Sequence, residues 1–210
     1  QEAHVGGARA GEKCGGVGNA GESGDVLPSA ARIWFAVDLR GASGLRVEQG
    51  PTGHRHFDFA APEVALLRQA LQSTREAYRT PPTELDPMVG NVWYRQVGLR
   101  EVGIRGEDAL HWVEGLHEAR LGREKLAEGW MKTLPPLGQA GRWHLDAEEV
   151  ESFVATLNDH RLRRAAEFDL GEGDLEVRAM EKSKGDKRVA LVEIHFLAWL
   201  IELVLQEQVK

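Results

Sequence analysis

Lys187 to Gln208 reads KRVALVEIHFLAWLIELVLQEQ, and this stretch decides the fold. At about 100° per residue it is apolar on nearly every side, with only His195, Glu202 and Gln206 forming a narrow polar stripe. A helix of that kind belongs in the middle of a bundle or in a subunit interface. It makes a poor membrane span, because Glu193, His195 and Glu202 interrupt it. Glu193 points with Leu197, Leu200 and Val204, so one carboxylate is expected inside the bundle.

Working outward, four more elements supply what this rod needs to bury itself. Asp146 and Glu149 predict a capping box, with Leu145 and Val150 as its hydrophobic staple. The helix they open buries Val150, Phe153, Val154, Leu157 and Phe168. Glu107 to Leu134 predicts a longer helix, with Trp112, Val113, Leu116, Ala119, Leu126, Ala127, Trp130, Met131 and Leu134 in one stripe. Pro62 to about Arg79 predicts a helix stopped by Thr80-Pro81-Pro82, and Asp86-Pro87 opens a short one to Gln96. Upstream, Leu45–Glu48 and His54–Phe59 flank a Gly/Pro loop and predict a hairpin; Arg32–Leu39 predicts a further strand. Leu175–Met180 reads as a strand or an extended arm.

The expected architecture is mainly α. A bundle of four to five helices at 62–209 follows a small β-hairpin region at 31–60, in a single domain spanning 31–210. Residues 1–30 form a Gly-rich leader with almost no large apolar side chain, expected to be disordered because it buries too little to offset the entropy of ordering it.

Composition removes several function classes. The chain has 210 residues, 26 Lys+Arg against 33 Asp+Glu, and a net charge of −7. That balance argues against sequence-blind phosphate binding, and hence against a DNA-binding regulator. A single cysteine, Cys14, makes an internal disulfide or a multi-cysteine zinc site impossible. With one Cys and no export signal visible, the cytoplasm is the expected compartment.

Candidate chemistry is sparse. No nucleophile elbow, P-loop, dinucleotide fingerprint or kinase motif is present. No catalytic residue, metal ligand or cofactor is assigned. His111, Glu114, His117 and Glu118 lack the i, i+4 histidine spacing of a zinc helix and read as a solvated face. His54, His56 and Asp58 alternate onto one strand face opposite Phe57 and Phe59. They are a better ligand pattern, but nothing nearby in sequence completes a coordination shell. In the basic run after His160, Arg163 and Arg164 read as solvated. Arg161 falls instead among Val150, Val154 and Leu157, and Arg123 falls in the Trp112/Leu116/Trp130 stripe. An isolated buried charge costs several kcal/mol, so Glu193 is expected to pair with Arg161 or Arg123.

Several of these segments together resemble a known family. They are the hairpin with LRVE (45–48) and HFDF (56–59), PEVALLR (62–68), NVWYR (91–95), ATLNDHRL (155–162), and FLAWLIEL (196–203). The pattern resembles the family catalogued as domain of unknown function 2017, best known from actinobacteria. The resemblance implies a mainly helical bacterial protein without an established activity. It also implies, by gene neighbourhood, an association with regulated proteolysis through protease-adaptor components.

Two functions follow as expectations, with a DNA-binding regulator acting through the fourth helix as a third that the charge balance disfavours. The first is a helical protein-interaction module without catalysis of its own, with Trp93 and Tyr94 as partner-binding residues and a homodimer through the last helix as a further expectation. The alternative is a small-ligand or enzymatic site where Asn158, Arg161, Glu193 and Arg123 converge.

Overall fold

The computed structural model describes residues 44–94 and 96–206. The Gly-rich leader, Cys14 and the strand expected at Arg32–Leu39 lie outside the described residues.

The hairpin forms as read. Arg46–Gln49 (β1) pairs antiparallel with Arg55–Phe59 (β2). In the turn, Gly50 N–H donates to His54 O at 3.0 Å, and Gly53 takes φ 85°, a conformation that favours glycine. Phe57 and Phe59 are buried on the inner face and His56 is exposed on the outer, as the alternation requires. The described residues hold a third strand that the sequence reading did not place. Gly141–Leu145 (β3) pairs with β2 in the order β1-β2-β3, setting Phe57 opposite Trp143 and His56 opposite His144. A run of five residues carries too little alternation to declare itself without its partner strand.

Ala61–Arg79 (α1) opens with the Glu63 carboxylate accepting the Ala60 N–H at 2.7 Å. Pro87–Tyr94 (α2) starts with Asp86 Oδ1 accepting the Met88 N–H at 2.8 Å, the cap that the Asp-Pro pair predicts. Gln96–Glu101 (α3) is a separate short helix, and Glu107–Thr133 (α4) is the long one. A 3₁₀ turn, Ala147–Glu149, leads into Val150–Glu167 (α5). The capping box expected there does not form. Asp146 is drawn to His144 Nε2 at 2.9 Å, and Glu149 accepts the Trp130 indole N–H at 3.1 Å. Glu172–Leu175 is a second 3₁₀ turn and Val177–Lys182 (α6) a short helix, where a strand or extended arm was expected. Asp174 accepts the Gly171 N–H at 3.2 Å and pairs with Lys187 at 2.8 Å, which folds the segment back onto the next helix instead of extending it. Gly185–Gln206 (α7) completes the described chain.

The apolar rod takes the central place its composition demands. Every residue from Val189 to Ile194 is buried, as are Phe196, Leu197, Leu200 and Val204. α7 packs mainly along α5 and also touches α1. Its composition would allow a membrane crossing, but over half of its most apolar stretch is buried inside the protein. At its carboxy end the fully buried Arg55 donates to Val204 O at 3.3 Å, placing a cation where the helix dipole is negative. Beside the rod, Phe57 lies 5.1 Å from Trp143, and Phe153 lies 5.3 Å from both Trp143 and Trp130, between ring centroids. Full burial of each such side chain is worth about 1.5–3 kcal/mol. These rings tie the inner face of the sheet to α4 and α5.

The stripe on α4 is only half used. Ala127, Trp130 and Leu134 are buried, whereas Ala119 and Trp112 are exposed and Val113 and Leu116 are half-buried. Between these regions the helix buries Arg120 and Glu124 instead.

Candidate functional site

Buried polar groups packed along α5 form a seam with two carboxylate hubs. Asp159 on α5 is its first hub. Its Oδ1 accepts from Arg120 Nη2 at 3.1 Å, and its Oδ2 accepts from Arg123 Nη2 at 3.0 Å and from the Tyr78 hydroxyl at 2.8 Å. The Asp159 backbone carbonyl accepts the Trp93 indole N–H at 3.0 Å, and Arg120 also donates to Trp93 O at 2.9 Å. The Arg120 guanidinium lies 5.0 Å from the Trp93 ring and 4.9 Å from the Tyr94 ring. Burial first, and the Asp159 charge second, push the Tyr78 phenol well above its ordinary range, so it serves as a neutral donor.

Glu193, 2% exposed on α7, is the second hub. Oε1 accepts from Gln69 Nε2 at 2.8 Å; Oε2 accepts from Arg164 Nε at 2.8 Å and faces His160 Nε2 at 3.4 Å. His160 Nδ1 in turn meets the Thr74 hydroxyl at 2.8 Å. Burial pushes His160 below the usual imidazole range against the pull of Glu193. A neutral ring that donates from Nε2 and accepts from Thr74 satisfies both contacts. Burial alone would raise the Glu193 carboxyl. The His160 hydrogen bond and the Arg164 guanidinium more than offset that, holding it below the carboxylate range.

The expected constellation is therefore rearranged. Glu193 is buried and paired with an arginine, but the arginine is Arg164, not Arg161 or Arg123. Arg123 belongs to Asp159. Arg161 is half-buried, donates to exposed Asn158 at 3.4 Å and lies near His195, so these two are not paired with the carboxylate. Arg163 and Arg164 are not solvated. Arg163 donates to Ser73 and pairs with Glu167 at 2.9 Å, and Arg164 adds a second bond to Glu167 at 2.6 Å. Trp93 and Tyr94 are fully buried in a core cluster with Tyr78, Val89 and Ala166, so they are packing anchors and not a contact surface.

The missed partners of Glu193 had a legible signal. Phe153, Leu157, His160 and Arg164 fall at i, i+4, i+7 and i+11, so the buried face of α5 runs on through His160 and Arg164. Starting the stripe at Val150 and Val154 rotated that reading by one residue, onto Arg161.

Two further places have open geometry. The outer face of the sheet gathers His54, His56 and His144, while Asp58 pairs with Arg142 at 2.8 Å. His111, Glu114 and Glu118 are solvated as read, and His117 meets the Tyr94 hydroxyl at 3.2 Å. Between α3 and α4 lies a groove of about 450 Å³, floored by Leu99, Ile104, Leu110 and Val113 and flanked by Arg100 and Arg105.

No curated protein and no solved structure matches the chain. The model of a family described as a domain of unknown function (DUF2017) matches residues 111–207. That span contains α5, α6 and α7 with both hubs of the seam, and over it the chain is similar to the DUF2017 family.

Proposed function

We propose that this protein is a cytoplasmic, helical interaction module that docks an apolar, acid-bearing segment of a partner protein in the α3–α4 groove and has no catalytic step of its own. The observation that carries the reading is where apolar surface is left in water. Of the nine large exposed apolar side chains among the described residues, six (Met88, Val92, Val102, Leu110, Trp112 and Leu121) lie between α2 and the middle of α4, and Leu137, Leu162 and Leu205 lie elsewhere. Surface of this kind marks interaction sites more often than scattered single residues do. Arg100 and Arg105 at the groove select carboxylates flanking an apolar anchor, against the chain's overall charge of −7.

The alternative of a small-ligand site around Arg161 and Glu193 has less support. Both Glu193 oxygens are committed to protein partners, and Arg161 is not among them. A nucleic-acid surface has little support too, since Arg163 and Arg164 are spent on Ser73, Glu167 and Glu193. The homodimer reading keeps one foothold, exposed Leu205 with half-buried Ile201 and Leu203 at the end of α7.

Protease-adaptor components are the first partners to test. Purified adaptor, titrated against the full chain with tryptophan fluorescence as the readout, is expected to bind. Leu110→Glu is expected to weaken binding at least tenfold, and raised salt to weaken it further through Arg100 and Arg105. Equal affinity in wild type and Leu110→Glu would place the contact elsewhere and defeat the groove. Absence of binding would defeat this choice of partner.

A further inference from the structure

We infer that the outer face of the sheet is a binding site for a divalent transition-metal ion, zinc by its donor set, held by the imidazoles of His54, His56 and His144. The three side chains offer one ring nitrogen each within 4.8 Å of one another. Their ring centroids stand 4.6, 4.9 and 5.0 Å apart. They come from the β1–β2 turn, β2 and β3, so the sheet register assembles them; His56 and His144 are direct cross-strand partners.

The spacing fits the ion. Two nitrogens bound to tetrahedral zinc at about 2.0–2.1 Å stand about 3.3–3.4 Å apart. His56 Nδ1 and His144 Nδ1 are 3.5 Å apart. His144 is also oriented from behind. Its Nε2 meets Asp146 Oδ1 at 2.9 Å, which fixes the tautomer that leaves the Nδ1 lone pair free, the carboxylate–histidine arrangement that supports metal ligands. His54 is oriented as well, because its Nδ1 meets the Thr52 hydroxyl. Its ring folds over Gly50, where an added Cβ would fall 1.9 Å from Nε2, so only glycine there admits the ring in this position.

The inner face packs Phe57 and Trp143, whereas His56 and His144 are exposed and each alone would gain by pointing into water. Protonated, the three would repel one another; a cation shared by three neutral imidazoles gives them reason to converge. Asp58 stays outside the shell in its pair with Arg142, leaving the fourth position to solvent, so the ion is reachable and exchangeable.

The test uses the full chain with zinc alone, followed by calorimetry, and cobalt(II) as the spectroscopic probe. One zinc per chain is expected, with a cobalt spectrum of nitrogen and oxygen ligation. His54→Gln, His56→Gln and His144→Gln are each expected to weaken binding at least tenfold, while His111→Gln leaves it unchanged. Asp146→Asn is expected to weaken it roughly tenfold through orientation of His144 alone, and Gly50→Ala to weaken it by displacing His54. Circular dichroism checks that each variant folds. Absence of saturable zinc binding overturns the proposal, as does binding indifferent to His144→Gln. A cobalt–thiolate band abolished by Cys14→Ser would assign the ion to the leader and overturn it too.

Discussion

Trp112 and Trp130 sit on one helix eighteen residues apart, which is about five full turns. They therefore share an angular position on α4, yet one is 45% exposed and the other 3%. The difference lies entirely in what stands opposite. Trp130 meets Phe153 at 5.3 Å and donates its indole N–H to Glu149, because β3 and α5 close over that end. About 27 Å along the axis, no such lid among the described residues covers Trp112. Periodicity specifies a face; it does not specify how far along the helix that face finds a partner.

The largest expected effects come from the covered end and its seam. Trp130→Ala removes a buried ring and should cost about 3–5 kcal/mol. Asp159→Ala leaves Arg120 and Arg123 without their carboxylate and should also cost about 3–5 kcal/mol. Urea unfolding of each variant measures this. If Asp159→Ala unfolds at the wild-type midpoint, the seam does not hold α4 to α5.

The second hub should cost somewhat less. Arg164 keeps a partner in Glu167 and is partly exposed, so Glu193→Ala should fall at the lower end of the about 3–5 kcal/mol typical of a broken buried pair. On the sequence alone Glu193→Met looks close to neutral. The structure reverses that expectation, because Met would strand Gln69, His160 and Arg164 together. A double-mutant cycle on Glu193 and Arg164 should return a coupling of about 0.5–3 kcal/mol. A coupling of zero would show that the 2.8 Å contact carries no energy.

The same hub sets a pH dependence with a definite sign. His160 has its pKa lowered by burial, so between its folded value and 6.5 the unfolded chain binds more protons. Its contribution is complete above 6.5 and is lost as pH falls through the folded value. Glu193, also lowered, adds a second loss below 4.5. Stability followed by urea midpoint should therefore decline from pH 6.5 downward, and His160→Gln should flatten the upper part of that decline. A midpoint that rises on acidification would contradict the neutral assignment of His160.

How much of this was legible follows from the range of each signal. The central rod, the hairpin, the Asp86 cap and the long α4 were all readable, because local pattern and local chemistry specify them. β3 was not, since its pairing with β2 is a relation between residues about eighty-five apart in sequence. The buried acid on α7 was readable, but its partner was not. Choosing Arg164 over Arg161 needs the rotation of α5 to within one residue, and α5 buries a second face of Thr156 and Asp159 that hydropathy marks as solvent. The capping residues failed for a related reason. Asp146 and Glu149 have the right spacing, but His144 and the Trp130 indole, brought close by the fold, compete for the same oxygens.

The smallest expected effect is the sharpest test of the opening contrast. Trp112→Ala removes the same side chain from the same face of the same helix, yet it should change stability by no more than about 0.5 kcal/mol, the range of surface substitutions. The two alanine variants should then separate by function as well as by energy. Trp112→Ala should fold like wild type and lose affinity for a partner that extends from the α3–α4 groove over the exposed side of α4, because an exposed indole contributes energy only once a partner desolvates it. If Trp112→Ala instead cost as much as Trp130→Ala, the first half of α4 would be covered in solution, by a second copy or by part of this chain. The exposed apolar surface would then belong to the fold and not to a partner.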